Sequence, residues 1–518
     1  MSKSKTKSKT KKQSILNLNT FLNNDDKTSK KTKSKSKSKS KSKSKSKKNT
    51  YVPKLTLISL NSLERQYNLE LYKDTITSFY ALNNPITSYL VKYDDAESKR
   101  LIKNGFYNLE LVPAYTFPTI HIEDTLKNID LPFKLHQELL KELKLKDIPK
   151  IVKYASEDFT RGIRGFLDSR YKDLPINLSN GFVKLWEILH MFKLMKKPKT
   201  ESHIHSNSQT MNVFHIAEAP GQMVMCAKYY AEKKYPNIKN YDWRANSLNP
   251  YNFNVKTKFA GLRDDYRLIK NNPQKWLWGA DNTGDITRVS NIKSFRKYID
   301  TKWLKEGATL DLIIGDGGLS ADTNPAYVLQ KLDLAQVITV IACSSIGGSC
   351  VIKHFTSYMI NKPETLEATS FFISFMYLYY IAFDEVNLFK PYTSDATSGE
   401  FYVIGKGFKG IEDTQLDKLY TILDKFKTNY ALFPKEVIPE PFMKQIYNFL
   451  DVLTKYNIKG YEKQNFLLKC YKEAQTNKSH NNTDTELNTM CKTFMNEKNI
   501  EHILIPRYNQ WIKMNEFE

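Results

Sequence analysis

The stretch Gly347–Phe355, GGSCVIKHF, is an apolar run that ends close to a lysine. The apolar and β-branched residues of SCVIK predict a short buried strand, and the two glycines before it predict a turn. Lysine is almost never fully buried, but at a strand end its stem can cover apolar surface while the ammonium reaches water. Lys353 alone therefore favours a structural interpretation, and a chemical role requires other residues to converge on it.

Similar runs lie on both sides of this strand and alternate with helical segments, which is typical of βαβ units and a parallel sheet. The other strand candidates are NVFHIA (Asn212–Ala217), LDLIIG (Leu310–Gly315), VNLF (Val386–Phe389) and FYVIG (Phe401–Gly405). The 518 residues predict several regions. They are a basic tail at 1–50, an N-terminal accessory region at 51–172, an α/β domain at 173–410 and a mainly helical C-terminal region at 411–518.

Charged residues stand where the predicted strands end. Asp316 follows LDLIIG and precedes two glycines, although an aspartate that only caps the next loop is an alternative. Lys353 ends SCVIK, and Lys184 lies in the apolar helical run NGFVKLWEI before the sheet. Glu400 begins the last strand, so it reaches the same edge if that strand is antiparallel to its neighbours. Because ligands bind at the carboxyl edge of such sheets, these four side chains can share one cleft.

The segment AEAPGQ, Ala217–Gln222, predicts a tight Pro-Gly turn between the first of these strands and a helix. Its glycine allows the backbone to approach a ligand closely. The segment is not GxGxxG and has no Walker lysine, so neither a dinucleotide nor a nucleoside triphosphate is favoured. A small adenosine-containing ligand fits this turn better.

Most of the positive charge is concentrated in the tail. The net charge is +24, and the first 50 residues hold 18 lysines and two aspartates, which leaves the remaining chain only mildly basic. The alternating run Lys33–Lys47 has no apolar side chain, as is typical of a disordered, self-repelling segment. Such a tail attracts RNA in a salt-dependent way, and a solvated spacer or a localisation signal fits the composition equally well.

The five cysteines form no CxxC pair. This spacing predicts an intracellular, reducing compartment without a structural zinc or other metal site. The lysine-rich N-terminus lacks the hydrophobic segment of a secretory signal. The most apolar run, Phe371–Phe383, is shorter than the roughly 20 residues that span a bilayer, so we expect a buried helix and no membrane partner.

From about Asn180 to Lys409 the chain resembles the FtsJ-like ribose 2′-O-methyltransferases, and among them the Adrift-type cap methyltransferases. The resemblance rests on seven segments that occur in this order: NGFVKLWEI, AEAPG, WRANSLNP, DNTGDIT, GDGG, GGSCVIKHF and FKPYTSDATSGEFYVIGKGFKG. It covers a little under half of the chain. It implies a Rossmann-like methyltransferase core with a mostly parallel sheet and an antiparallel last strand, which binds S-adenosyl-L-methionine.

A Lys-Asp-Lys-Glu tetrad surrounds the target hydroxyl in that family, and the matching motifs supply Lys184, Asp316, Lys353 and Glu400. The resemblance implies that Lys353 is the general base for attack on the methyl group. Positive charge from Lys184 and from the sulfonium of the cofactor, together with burial in the short strand, would make a neutral amine accessible. Asp316 and Glu400 would orient the two ammonium groups, and Asp316 would also face the methyl donor.

The resemblance also implies a cofactor site. The methionine part would lie against the turn that contains Glu218 and Gly221. The adenosine would lie near the segment YDWRANSL, with Tyr241 or Trp243 as aromatic neighbour and Asp242 as ribose partner, although Trp243 fits a core position equally well. Asp285 would accept a hydrogen bond from the adenine amine.

On the substrate side, Arg161, Arg164 and Arg170 could hold RNA phosphates or form a solvated basic face. The resemblance implies a capped messenger RNA substrate methylated at its first or second nucleotide. Methylation of ribosomal or other structured RNA, or RNA binding without catalysis, are the alternatives. Abundant Lys, Asn, Ile and Tyr resemble proteins of large DNA viruses, which would place the chain in host cytoplasm or virion. The sequence leaves the oligomeric state open.

Overall fold

The fold was analysed in a computed structural model of the chain. The structure describes the following residues: 89–90, 105–115, 129–144, 148, 158–175, 178–195, 210–258, 262–305, 308–319, 324–356, 365–427, 430–477 and 497–517. The predicted basic tail and most of the predicted N-terminal accessory region lie outside them. The domain boundaries given above stay predictions.

The centre of the fold is a seven-stranded sheet with the order β1-β7-β8-β6-β5-β3-β4. A second sheet pairs β2 with β9. The strands are β1 (Tyr89–Leu90), β2 (Val112–Pro113), β3 (Thr210–Ile216), β4 (Asn240–Ala245), β5 (Leu312–Gly315), β6 (Ser349–Phe355), β7 (Phe383–Phe389), β8 (Glu400–Phe408) and β9 (Tyr430–Ala431).

The strands β4, β3, β5 and β6 are parallel, whereas β8 runs antiparallel between β6 and β7. The expected antiparallel last strand is therefore confirmed. Its register sets Glu400 opposite Phe355, at the carboxyl end of β6. The first residue of β8 thus meets the last residue of β6, so one edge of the sheet collects residues from both strands.

Helices cover both faces of this sheet. They are α1 (Asp130–Glu142), α2 (Asp158–Arg170), α3 (Asn180–Phe192), α4 (Gln222–Lys234), α5 (Phe253–Lys258), α6 (Leu268–Asn271), α7 (Val289–Ile299), α8 (Ala326–Cys343), α9 (Thr365–Ala382), α10 (Asp413–Asp424), α11 (Glu440–Asn477) and α12 (Glu497–Met514). Helices α3, α4 and α12 share one apolar core with one face of the sheet. Helices α7 to α10 and part of α11 share the other core.

Alternation along β6 assigns its side chains to the two cores, as expected of a strand buried on both faces. Val351 belongs to the core under α3 and α4, and Lys353 projects to that same face. His354 points to the opposite face, where its ring nitrogens bond Asp333 at 2.7 Å and Tyr379 at 2.9 Å. Buried polar contacts of His354, on the sheet face opposite to Lys353, therefore fix the end of β6.

The apolar run predicted as a buried helix, Phe371–Phe383, lies in α9 except for its last residue, which begins β7. Helix α8 is long and apolar enough to cross a membrane by length and composition, and 72% of that span is buried in the fold. It packs between α7 and α9. In the part of the chain that the structure describes, α8 is thus a core helix.

In the predicted C-terminal region, α10, α11 and α12 account for most of the described residues. Helix α11 packs against α1, and α12 packs against α2. Helix α2 also packs against α3, so these contacts join the C-terminal helices to the helices that precede β3.

Candidate active site

Four predicted residues meet at the carboxyl edge of the sheet. The Lys184 Nζ atom lies 2.6 Å from Glu400 Oε1, and the Lys353 Nζ atom lies 2.7 Å from Asp316 Oδ1. Lys184 comes from the first turns of α3, whose N-cap Ser179 accepts a hydrogen bond from Phe182 N. Two ion pairs from α3, β5, β6 and β8 therefore form one cleft, as the strand-end argument predicts.

The pKa of Glu400 reflects its lysine neighbours. Burial alone would raise this pKa, but the charges of Lys184, Lys353 and Lys390 outweigh burial and lower it to about 2. Burial acts to lower the pKa of Lys353, whereas Asp316 and Glu400 raise it, and the net shift is upward. Lys353 is therefore an ammonium at neutral pH when no ligand is present.

This result corrects one part of the sequence argument. Lys184 was expected to supply the positive charge that makes Lys353 a base, but Lys184 is paired with Glu400 instead. The nearest charges to Lys353 are carboxylates, which hold its proton rather than release it. Because the pKa of Lys353 is raised, only a small fraction of this amine is neutral at neutral pH.

Lys390 is a further lysine at this edge, and the sequence analysis missed it. It is 1% exposed, and its Nζ atom donates to Ser394 Oγ, to the Ser398 carbonyl and to the Glu400 carbonyl at 3.2, 2.7 and 3.0 Å. Ser394 Oγ in turn donates to Glu400 Oε1 at 3.0 Å. The lysine of the segment FKPYTSDATSGE was the available signal, but its partners lie up to ten residues away.

The predicted Pro-Gly turn lies between β3 and α4. Gly221 has φ +105°, and a Cβ atom there would stand 2.1 Å from Leu268 Cδ2. Only glycine fits this position, both for its backbone conformation and for its close approach to α6. The turn follows β3 at the same sheet edge as Asp316, whose N–H donates to the Ile216 carbonyl and whose Oδ2 atom lies next to Gly181 of α3.

Glu218 was predicted to bind the cofactor, and its side chain points inward instead. It is 3% exposed, and its Oε1 atom accepts hydrogen bonds from Met223 N and Val224 N in the first turn of α4. Its Oε2 atom lies 3.6 Å from His215 Nδ1. Glu218 therefore caps α4 and shapes the turn, because an anion suits a helix N-terminus.

The prediction for Tyr241 is corrected as well. It is the second residue of β4, four residues before the strand ends, and its buried hydroxyl lies 3.2 Å from His215 Nε2. Asp242 accepts hydrogen bonds from Lys275 and Trp303, so it does not face the cleft as a ribose partner. Trp243 is a core residue. The segment named for the adenosine therefore begins too early in the strand.

The carboxyl end of β4 is occupied by Asn246, whose amide donates to the carbonyls of Leu277 and Gly284. Its buried Oδ1 atom has no hydrogen-bond partner among the described residues. The loop that carries Asp285 docks here, since a Cβ atom on Gly284 would meet the Ser247 carbonyl. Asp285 Oδ1 accepts from Thr287 N and Oγ1. An orphaned acceptor and a carboxylate thus flank the end of β4.

The three predicted arginines all lie on α2. Arg164 Nε donates to the carbonyl of Thr160, and Arg170 donates to Asn509 of α12. Arg161 is on the exposed side of the helix. The structure therefore places them on one helix beside the cleft, and their contact with RNA stays a prediction. Among the described residues, no cluster of His, Cys, Asp or Glu could hold a metal ion.

A first prediction concerns the stability of the Glu400 site. Because the folded-state pKa of Glu400 lies below its usual 4.5, the carboxylate stabilises the fold above that pH and loses this effect as the pH falls toward 2. We expect Glu400→Gln to cost about 2 kcal/mol more at pH ~6 than at pH ~3. Chemical denaturation at both pH values measures this difference, and the control is Glu385→Gln, a carboxylate paired with Lys406 away from the cleft. Equal costs at the two pH values would refute the electrostatic account.

Comparison with known proteins shows which family the region around this cleft resembles. Residues 178–408 match the family described as FtsJ-like methyltransferase. An uncharacterized protein of Acanthamoeba polyphaga mimivirus is 32% identical over 293 residues, which cover 55% of this chain and 33% of that protein. A cap-specific mRNA (nucleoside-2′-O-)-methyltransferase 2 of Pongo abelii is 28% identical over 345 residues, which cover 64% of this chain and 40% of that protein.

A probable methyltransferase of African swine fever virus is 26% identical over 309 residues, which cover 55% of this chain and 64% of that protein. The chain therefore spans less than two thirds of the length of each of these relatives. The matched region holds the sheet edge, the Pro-Gly turn and all four residues of the two ion pairs. Residues 178–408, which hold these features, are thus similar to the FtsJ-like methyltransferase family.

Proposed function

We propose that this chain is an S-adenosylmethionine-dependent ribose 2′-O-methyltransferase that acts on the first or second transcribed nucleotide of capped messenger RNA. The observation that carries the proposal is the meeting of two lysine–carboxylate pairs at one sheet edge, beside the turn at Gly221. Relatives named as cap-specific mRNA methyltransferases support the substrate class. A viral source is supported by the mimivirus and African swine fever virus relatives.

The cofactor, when bound, supplies a methyl group on a positively charged sulfur. The described residues fit such a ligand in two places. The turn at Gly221 follows the carboxyl end of β3, where the Ile216 carbonyl accepts a hydrogen bond from Asp316 N, so the turn backbone lies at the same sheet edge as the ion pairs. At the end of β4, the orphaned Oδ1 of Asn246 can accept from an adenosine hydroxyl or amine, and Asp285 lies in the loop docked beside it.

Lys353 is the residue that we assign as general base. A ribose hydroxyl is a poor nucleophile, so it needs a positioned acceptor for its proton. The Lys353 amine is on the cleft side of β6, and Asp316, 2.7 Å away, holds the amine in place and stabilises the ammonium that forms when the amine accepts the hydroxyl proton. The raised pKa of Lys353 means that turnover depends on the small neutral fraction of this amine.

Lys184 and Glu400 position the substrate in this proposal. Their contact of 2.6 Å is buried, with side-chain exposures of 10% and 9%. A charge-assisted contact of this kind is short and directional, and it fixes an ammonium donor at the cleft. The Lys184 ammonium is then available to hold the ribose hydroxyl in line with the methyl group while Lys353 accepts its proton.

For RNA binding, we propose that the lysine-rich tail and the arginines of α2 contact phosphates. Arginine forms a rigid fork that matches phosphate oxygens, and a lysine tail adds a salt-dependent attraction. We also propose a reducing intracellular location, such as host cytoplasm. The described cysteines Cys226, Cys343 and Cys350 are buried and unpaired, which suits such a compartment.

The function is tested with three RNAs that share one sequence: an uncapped transcript, a cap 0 transcript and a cap 1 transcript. Each is incubated with the protein and labelled S-adenosylmethionine, and the modified ribose is mapped. We expect label on the first nucleotide of cap 0 RNA or on the second nucleotide of a capped RNA. Equal labelling of the uncapped transcript, or internal labelling of structured RNA, would contradict the cap-specific proposal.

The base assignment is tested with Lys353→Arg and Lys353→Met. Arginine keeps the charge but cannot give up its proton at accessible pH, so we expect single-turnover methyl transfer to fall roughly 10²–10⁴-fold in both variants. Wild-type turnover should rise with pH below the raised pKa of Lys353, because the neutral amine is the reactive form. The matched control is Lys406→Arg, a lysine of β8 paired with Glu385 away from the cleft. Near wild-type activity of Lys353→Arg would exclude Lys353 as the base.

The adenine contact is tested with Asp285→Asn, which keeps an acceptor for Thr287 while it removes one carboxylate oxygen. Loss of the acceptor for the adenine amine should weaken cofactor binding by on the order of 1–3 kcal/mol. Isothermal titration calorimetry measures the affinity. The control, Thr287→Val, removes only the hydroxyl that donates to Asp285 within its loop. Unchanged affinity in Asp285→Asn removes Asp285 from the cofactor site.

A further inference from the structure

The segment between β7 and β8 carries Glu400 to the cleft, and we call residues 391–399 the β7–β8 loop. Two of its carbonyls, those of Ala396 and Ser398, accept hydrogen bonds from Asn457 Nδ2 at 2.7 and 2.9 Å. Asn457 lies in α11 and is 1% exposed. It belongs to the C-terminal region, outside the residues that match the methyltransferase family.

We propose that Asn457 is a positioning residue for methyl transfer, which fixes Glu400 by holding the β7–β8 loop. The helical C-terminal region is then part of the catalytic unit rather than an appended domain. This inference rests on the proposed function, because it assigns a role in the same cleft. Asn457 does not touch the reacting atoms in this proposal, and it acts through the loop that ends on Glu400.

A short path of hydrogen bonds joins Asn457 to Glu400. The Ser398 carbonyl accepts from both Asn457 and Lys390, and Lys390 also donates to the Glu400 carbonyl. Ser398 Oγ accepts from Glu400 N at 3.1 Å. The carbonyl of Gly399 accepts from Thr356 N at 3.0 Å. The backbone carbonyls of Ser398 and Gly399, the last two residues before Glu400, thus both accept hydrogen bonds. One of the donors is the Asn457 amide of α11.

The packing of α11 on the loop is close enough to transmit a displacement. A Cβ atom on Gly460, one turn after Asn457, would lie 2.8 Å from the backbone carbon of Ala396. Glycine normally weakens a helix interior by about 1 kcal/mol relative to alanine, so this glycine is explained by the close approach. The ring of Tyr456 lies 5.8 Å from Lys390 Nζ. Residues 456, 457 and 460 therefore form one contact surface of α11 toward the loop.

Helix α12 holds the other end of the same loop. Glu187 of α3 accepts hydrogen bonds from Tyr392 N and Thr393 N, and it also accepts from Trp511 Nε1 of α12 at 3.3 Å. The guanidinium of Arg507 donates to the Tyr392 hydroxyl. The start of the loop is thus fixed by α3 and α12, and its end is fixed by α11. Helices α11 and α12 therefore both contact the β7–β8 loop, which leads into Glu400.

A merely structural role for Asn457 makes a different prediction from a positioning role. Asn465 supplies the comparison, because it is a buried asparagine on the same helix whose amide donates to the Pro132 carbonyl at 2.7 Å, away from the cleft. Asn457→Leu removes two hydrogen bonds to the loop, and Asn465→Leu removes the bond to Pro132 and the contact of Asn465 Oδ1 with His136 Nδ1; both keep a similar volume. Equal losses of stability are expected in both, whereas only Asn457→Leu should disturb Glu400.

The experiment measures single-turnover methyl transfer on the capped RNA that the wild type uses, with saturating S-adenosylmethionine. We expect Asn457→Leu to lower the rate roughly ten- to a hundredfold, the scale set by small misplacements of catalytic groups, with cofactor affinity unchanged. Asn465→Leu should keep near wild-type activity. In the background of Glu400→Gln, Asn457→Leu should have little further effect, because the two residues act on one step. If the double variant loses rate by the product of the two single-variant factors, the two residues act independently and the proposal is overturned.

A second measurement does not depend on activity. Amide hydrogen exchange in residues 391–400 should become faster in Asn457→Leu and stay unchanged in Asn465→Leu. If the wild type methylates no RNA but exchange changes as expected, the proposed function fails and the loop contact stands. If the wild type is active and Asn457→Leu changes neither exchange nor rate, the positioning role is refuted. If Asn457→Leu does not fold, Gly460→Ala takes its place, because a Cβ atom at position 460 displaces the same surface of α11. The methyl-transfer rate and the amide hydrogen exchange of residues 391–400 are then measured in that variant.

Discussion

The buried carboxylate of Glu400 is the constraint on which much of this structure depends. An ionised carboxylate loses several kcal/mol when it leaves water, unless positive charge and hydrogen bonds replace the solvent. Lys184 and Ser394 supply direct contacts, and Lys353 and Lys390 add positive charge nearby. Because these groups come from α3, β6 and the segment between β7 and β8, the sheet, its antiparallel strand and its flanking helix have to assemble together around one charge.

Much of the fold could be predicted from the sequence. Apolar runs separated by helical segments define the strands, and the antiparallel direction of β8 follows from the family resemblance. Asp316 and Lys353 come together because a parallel sheet sends its carboxyl ends to one edge, and Glu400 joins them because β8 is antiparallel and begins at that edge. The positions of Asp316 and Lys353 followed from the strand pattern alone, whereas those of Glu400 and Lys184 also needed the resemblance.

The residues that the sequence did not indicate depend on contacts between distant parts of the chain. In the sequence, Lys390 resembles any lysine near a proline. Only the folded loop shows that its ammonium donates to a serine hydroxyl and to two backbone carbonyls. Glu187, in an apolar helical run, gave no sign that it holds Tyr392 and Thr393 some two hundred residues later. The predictions that Tyr241 and Glu218 bind the cofactor were wrong for a local reason. Both residues lie in or next to the segments that were expected to bind it, but their side chains are buried in the core.

The hydrogen bonds of the three lysines distinguish their roles. An ammonium has three donors, and Lys390 uses three on Ser394, Ser398 and Glu400, so it is fully engaged in structure. Lys184 is tied to Glu400 by a short, buried contact. Lys353 pairs with Asp316, a carboxylate that is about one third exposed at the open side of the cleft. Of the three, Lys353 is thus the one whose partner is partly exposed, and for this reason geometry, rather than pKa, selects it as the proposed base.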